Sequence, residues 1–224
     1  MLGNVLFHGS DHIIENPWPG GGKINNDYGQ GFYCSENLEL AREWACMEKP
    51  SAFVNHYAIE PSAQLKVLDL EKPPYHVLNW LAILLKNREF DPKHPLACEG
   101  KEYILQEFLP QTEGYDIIYG YRADDSYFGI ASSFLSGGLS LQQLQYALKL
   151  GLLGEQVFLQ SEKAFDALVF VSAEAVDKSI YLPRRNARDA RARDTFRQMV
   201  PATDGLFLID ILRNQIKNDD ARLR

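Results

Sequence analysis

Cysteine is scarce in this chain of 224 residues: Cys34, Cys46 and Cys98 form an odd set without CxxC spacing. That excludes a disulfide framework and leaves no zinc-ligand pattern, so a reducing, cytoplasmic setting and no metal are expected. Long apolar runs are missing as well. The opening MLGNVLFHGS has no basic segment followed by an apolar stretch, and the run around WLAILL is far too short to span a bilayer, so neither a cleaved leader nor a membrane is expected. Positive charge is the minority sign, 23 Lys and Arg against 30 Asp and Glu for a net charge of -7, which excludes a surface that binds nucleic acid throughout. Any such site must be local. The common catalytic signatures are absent too: there is no GxGxxG between a strand and a helix, no Walker lysine, no HExxH and no GxSxG elbow.

What is present is an ordinary globular composition, 46% hydrophobic and 12% aromatic, without repeats or low-complexity linkers. NVLFH reads as a short strand that opens into a Pro, Gly and Asn-rich loop, and GFYCS as a second strand. Ser35 then caps a helix over ENLELAREWACM, with Leu38, Ala41 and Ala45 as its apolar stripe. AFVNHYAI and LKVLDL read as strands, and YHVLNWLAILLKN as a helix after Pro73-Pro74. YDIIYGY is a strand. ADDSYFGIASSFLSGG and SLQQLQYALKLG are helices, EQVFLQ and ALVFVS are strands around a turn-like SEKAFD, and GLFLIDILRNQIK is a last helix. The class is α+β. The stretch LPRRNARDARARDTFRQMV is dense in arginine, and it reads either as a solvated helix face laced with pairs to Asp189 and Asp194 or as a patch for an anionic partner.

Three local features remain: FHGS ending the first strand, GQGFY opening the second, and GEQVFLQ late in the chain. Gly29 and Gly31 stand where side-chain packing would normally help a strand, the mark of a close approach to the backbone. In this order the three features resemble the ADP-ribosyltransferase superfamily, in the branch of diphtheria toxin and the poly(ADP-ribose) polymerases that carries a histidine, a tyrosine and a late glutamate. More closely, NNDYGQGFYCSENLELAREWA and YGYRADDSYF...LGEQVFLQSEKA are similar to DUF3990, a bacterial family counted as ADP-ribosyltransferase-like, with a resemblance spanning residues 4 to 172.

The resemblance implies a split β-sheet core with flanking helices over residues 1–176, and an arginine-rich helical extension over 177–224 packed on the same domain. It implies NAD as substrate and a catalytic set of His8, Tyr33 and Glu155. His8 would donate to a ribose hydroxyl, Gly9 would bracket the nicotinamide carboxamide with its backbone, and Ser10 and Gly31 would border the same site. Tyr33 would stack on the nicotinamide ring. NAD itself would explain Gly29 and Gly31. Trp44 is either a second stacking aromatic or a buried anchor between helix and sheet, and Ala41 departs from the serine that the polymerases carry. A carboxylate near the ribose would stabilise an oxocarbenium-like centre, and Glu155 is the candidate. Strand alternation lets only one of Glu155 and Gln156 face the cleft; with Gln156 inward the site would bind NAD or turn it over slowly. Asp27, Asp124 and Asp125 are further acids, although ADD ahead of a helix also reads as an N-cap.

The function implied is a mono-ADP-ribosyltransferase acting on a macromolecule, protein or nucleic acid, as a bacterial toxin of a toxin-antitoxin or phage-defence pair with a small antitoxin partner. An NAD glycohydrolase and a catalytically degenerate NAD or ADP-ribose-binding module are the alternatives. The segment from Pro73 to Gly114 and the arginine-rich tail are where acceptor choice would reside.

Overall fold

A computed structural model describes residues 3–123, 125–150, 154–198 and 204–223. In chain order the elements are β1 (Val5–Ser10), β2 (Phe32–Cys34), α1 (Leu38–Ala45), β3 (Phe53–Ile59), β4 (Val67–Asp69), α2 (Val77–Asn87), α3 (Pro95–Phe108), β5 (Ile117–Tyr121), α4 (Asp125–Leu135), α5 (Leu141–Leu150), β6 (Glu155–Leu159), α6 (Glu162–Asp166), β7 (Leu168–Ala175), α7 (Lys178–Arg197) and α8 (Leu208–Arg213). The strands form two sheets, one in the order β1-β3-β7 and one in the order β2-β6-β5-β4. All pairings are antiparallel except β4 with β5. The class is mixed α+β, as the periodicities lead one to expect.

Alternation along the strands builds two cores with one sheet between them. Leu6, Tyr57 and Ile59 of the first sheet meet Phe32, Cys34, Ile117, Val157 and Leu159 of the second in an inter-sheet core. The other face of the second sheet, through Leu68, Ile118 and Phe158, carries the largest core, filled by α2, α3, α4, α5 and α8. On the outer face of the first sheet, Ala41 and Ala45 of α1 pack on Val54. The sheets touch edge to edge at one point, where Phe7 and Ser35 exchange backbone hydrogen bonds of 2.8 and 2.9 Å. Beyond this bridge β1 and β2 run on as separate sheet edges.

Two local expectations change. Ser35 does not cap α1, because its backbone is spent on the Phe7 bridge and its hydroxyl accepts from Asn37 N; the cap is Asn37, whose side chain accepts from Leu40 N at 3.2 Å. The segment from Pro73 to Gly114 keeps its expected helix over YHVLNWLAILLKN and adds a second one. It holds α2, whose Trp80 and Leu81 are fully buried, and α3, opened by Pro95 and buried at Ala97, Gly100, Ile104 and Phe108. SEKAFD, read as a turn, contains the short helix α6, capped by Ser161.

The glycines of the second motif are accounted for by the chain itself. Gly29 has φ +95°, a backbone state that favours glycine. A Cβ on Gly31 would lie 2.4 Å from Leu159 O and 2.5 Å from the Phe158 ring, so β2 can reach β6 only without one. Gly9 is held likewise by α1, where a Cβ would lie 2.2 Å from Ala41 O.

The arginine run is largely solvated, with Arg184, Arg191, Arg193 and Arg197 exposed, but one side of it engages α1. Arg188 grips the buried Glu43 of α1 with two bonds of 2.7 and 2.8 Å, Arg184 reaches Glu39 at 3.0 Å, and Arg185 donates to Cys46 O. Of the sequence-expected pairs along the helix, Arg197 with Asp194 forms at 3.4 Å. Beyond α7, Leu208 and Ile211 of α8 enter the largest core.

Two outcomes follow for stability. Gly31→Ala should cost about 2–3 kcal/mol, since the added methyl meets backbone that cannot yield, and urea unfolding would measure it. Arg188→Ala should cost about 3–5 kcal/mol by stranding the Glu43 carboxylate in the interior. Replacing both partners with apolar residues should cost less than the single change.

Candidate functional site

Tyr33 sits between Phe32 and Cys34 in a strand whose neighbours point into the inter-sheet core, so its own ring turns to the helix side, 4.8 Å from Phe158. Its hydroxyl donates to Gly29 O at 2.6 Å and accepts from Tyr28 N at 3.1 Å, which fixes the ring against its own entry turn. Burial pushes the phenol above its ordinary range, so it stays protonated.

His8 stacks on Phe32, with centroids 4.3 Å apart, and its Nδ1 lies 2.6 Å from Tyr33 O. A carbonyl can only accept, so Nδ1 carries the proton and Nε2 is the bare, accepting nitrogen. Burial depresses the imidazole to about 4, so at neutral pH it is uncharged. The expected donation from His8 to a ribose hydroxyl is therefore reversed: Nε2 can accept from such a hydroxyl. The His8 and Tyr33 side chains are tied through the Tyr33 backbone, yet they flank opposite faces of β2 at its open edge, rather than lining one wall side by side. Ser10 is committed inward, donating to His12 O at 2.6 Å and accepting from Asn55 at 2.8 Å.

In β6, Val157 and Leu159 face the inter-sheet core, while Gln156 and Phe158 face the Tyr33 side. Gln156 is the inward member of its pair, and Glu155 is exposed. Glu155 stands opposite Tyr121 in β5, and its charge adds to the burial that raises the Tyr119 phenol. The structure does not bring it to Tyr33.

Gln156 instead reaches Asp27. Its Nε2 donates to Asp27 Oδ2 at 3.0 Å and to Tyr121 O at 3.3 Å. The same Asp27 oxygen accepts from Ala123 N at 2.9 Å, and Arg88 Nε stands 3.4 Å from the other oxygen. Asp27 is 3% exposed, and burial raises its carboxyl despite these donors and the nearby Arg122. Tyr121 O collects Tyr28 Oη at 2.8 Å and Trp80 Nε1 at 3.0 Å as well. Trp44 is half-buried on α1 and carries the Arg122 guanidinium 4.3 Å from its ring centroid, an occupied cation–π face that joins α1 to the end of β5. Asp125 opens α4, and Asp124 lies outside the described residues.

Sequence reading names Asp27 as an auxiliary acid and misses Arg88 and Arg122. They lie far from Asp27 along the chain, and a lone Arg after a helix or strand carries no local signal. Among the described residues no group of His, Cys, Asp and Glu is arranged to hold a metal ion, and no helix is long and apolar enough to cross a membrane.

The geometry defines a mixed α+β protein whose two sheets part beside a buried polar cluster. The chain belongs to the family described as protein of unknown function (DUF3990), which matches residues 4–170. No curated protein and no solved structure matches it.

The His8 arrangement sets a pH dependence. A histidine whose folded value is depressed contributes stability that is complete above its ordinary value of 6.5 and is lost as pH falls toward about 4. His8→Gln, which can still donate to Tyr33 O but does not titrate, should remove about 2–3 kcal/mol of that acid loss. Urea unfolding of both proteins at pH 7 and pH 4.5 measures the difference.

Proposed function

We propose that the protein is an NAD-dependent mono-ADP-ribosyltransferase that modifies a macromolecule, in the role of a bacterial cytoplasmic toxin held in check by a small antitoxin protein. The observation that carries this reading is the junction of the sheet edges, where a neutral His8 with a bare Nε2 is bonded to the backbone of Tyr33. A ribose offers hydroxyl donors, which suit Nε2, and Tyr33, across the open edge of β2, would offer its ring to a flat pyridine. Gly9, Gly31 and Trp44 would border the same site, although the chain itself explains Gly9 and Gly31 without a ligand, and Arg122 already covers a face of the Trp44 ring. His8, Tyr33 and Gln156 would hold NAD, and Glu155 remains the exposed carboxylate near the end of β6.

A second reading is favoured by one specific observation. The β6 side chain on the Tyr33 face is an amide, Gln156, and the carboxylate beside it is buried. Less charge is then offered to a developing cation, which suits slow turnover, transfer to water, or a module that holds NAD or ADP-ribose without reaction.

Incubation with NAD labelled in its adenylate half separates these readings. Label on protein or nucleic acid in the wild type, lost in His8→Ala, is the expected result. Free ADP-ribose alone identifies a glycohydrolase, bound but unconverted NAD identifies the module, and no binding at all rejects an NAD site. Glu155→Gln in the same assay tests the exposed acid: loss of transfer with NAD binding retained would make Glu155 catalytic, and unchanged turnover would remove it from the reaction.

A further inference from the structure

A buried polar constellation surrounds Asp27, and most of it takes no part in the proposed NAD contacts. Asp27 precedes the turn that fixes the Tyr33 hydroxyl, and it binds three separate pieces of chain: Gln156 of β6, the Ala123 backbone ahead of α4, and Arg88 after α2. The hydrogen bonds from Ala123 N and Gln156 Nε2 both fall on Oδ2, whereas Oδ1 is buried and accepts none, with Arg88 Nε 3.4 Å away.

This pattern dictates the orientation of the Gln156 amide. The groups around its nitrogen are the Asp27 carboxylate and the Tyr121 carbonyl, both pure acceptors, with the Tyr28 hydroxyl beside them. Turning the amide over would set its oxygen against two other oxygens, so the NH2 group must face inward. The atom left to meet a ligand is the amide oxygen.

We propose that Asp27 is a positioning residue that locks Gln156 with its carbonyl oxygen toward the ligand, which makes this point of the site specific for a neutral hydrogen-bond donor, a hydroxyl or a carboxamide N–H, and unfavourable for phosphate. The lock is independent of any activity. Its use as a ligand contact rests on the NAD-site reading. A glutamate at 156 could not take the same place while ionised, because its carboxylate would meet the Asp27 carboxylate and the Tyr121 carbonyl oxygen. The charged and titratable groups that face Asp27 are Arg88, Arg122, Tyr28 and Tyr33, so the lock operates within a balanced cluster and not beside a lone acid.

The test uses the full chain labelled with nitrogen-15. The Gln156 side-chain NH2 signals are assigned by their loss in Gln156→Ala. In the wild type they should exchange slowly with solvent and shift with a single titration above the ordinary carboxylate range. Asp27→Asn can offer one amide oxygen to both Gln156 and Ala123 N, so slow exchange should persist while the titration disappears. Asp27→Ala should speed the exchange at least tenfold. Gln156→Glu should lower thermal stability progressively as pH rises, and adding Asp27→Asn to it should recover most of the loss by restoring one donor and one acceptor.

Exchange or titration that is indifferent to Asp27 would overturn the lock, and Asp27→Asn decides this even if Asp27→Ala fails to fold. ADP-ribose binding, measured by calorimetry, supplies the ligand arm. Wild type and Asp27→Asn should bind within about threefold of each other and Asp27→Ala about tenfold more weakly, the loss of one oriented hydrogen bond. Equal binding in all three would remove Gln156 from the ligand site. Failure of the wild type to bind ADP-ribose, with the amide behaving as described, would overturn the NAD reading and the ligand contact together while leaving the lock in place.

Discussion

The antiparallel bridge between Phe7 and Ser35 is the constraint from which the rest of the architecture follows. It fastens the edge of one sheet to the edge of the other at a single residue pair and lets both strands continue unpaired beyond it. A continuous ladder would have closed the gap and merged the sheets. With one bridge, the inter-sheet core can fill on one side, through Leu6, Phe32 and Tyr57, while His8 leans across the opening to the Tyr33 carbonyl. Unpaired strand edges are a liability unless something caps them, and a histidine that supplies the missing donor is one economical solution.

The two sides of the second sheet have different chemistry for a geometric reason. One face is dry and apolar, sealed by the first sheet. The other is largely apolar under the helices and turns polar at the end of β5 and the start of β6, where Gln156 donates to Asp27 and to the Tyr121 carbonyl. A carboxylate at that depth requires such company, because an unsatisfied buried charge would outweigh much of the net stability of a domain. The cluster also draws together the turn before β2, the end of α2 and the start of α4, so the orientation of these polar groups and the packing are fixed by the same contacts.

Much of this is legible in the sequence, and the misses have physical causes. The strands and the helix over YHVLNWLAILLKN are readable because their apolar spacing is strong and local. The helix α3 escapes because PLACEGKEYILQEF mixes charge with a sparse stripe of Ala97, Gly100, Ile104 and Phe108, so that tertiary burial, not periodicity, holds it. Gly29 and Gly31 do mark a close approach, but the neighbours are the turn and β6, which sequence alone cannot separate from a ligand. Ser35 looks like a cap until its backbone is seen to be engaged by β1. The choice between Glu155 and Gln156 turns on strand register, which shifts every side chain to the other face if displaced by one residue.

The C-terminal segments give the family match an unexpected boundary. Similarity ends at residue 170, yet α7 clasps α1 through Arg184, Arg185 and Arg188, and Leu208, Ile211, Ile216 and Leu223 complete the largest core. Cut at that boundary, the chain would present the Glu43 carboxylate on α1 without Arg188 and a greasy socket among the helices. The segments beyond the matched region are thus the lid of both, and the fold is closed by residues that the family pattern does not include.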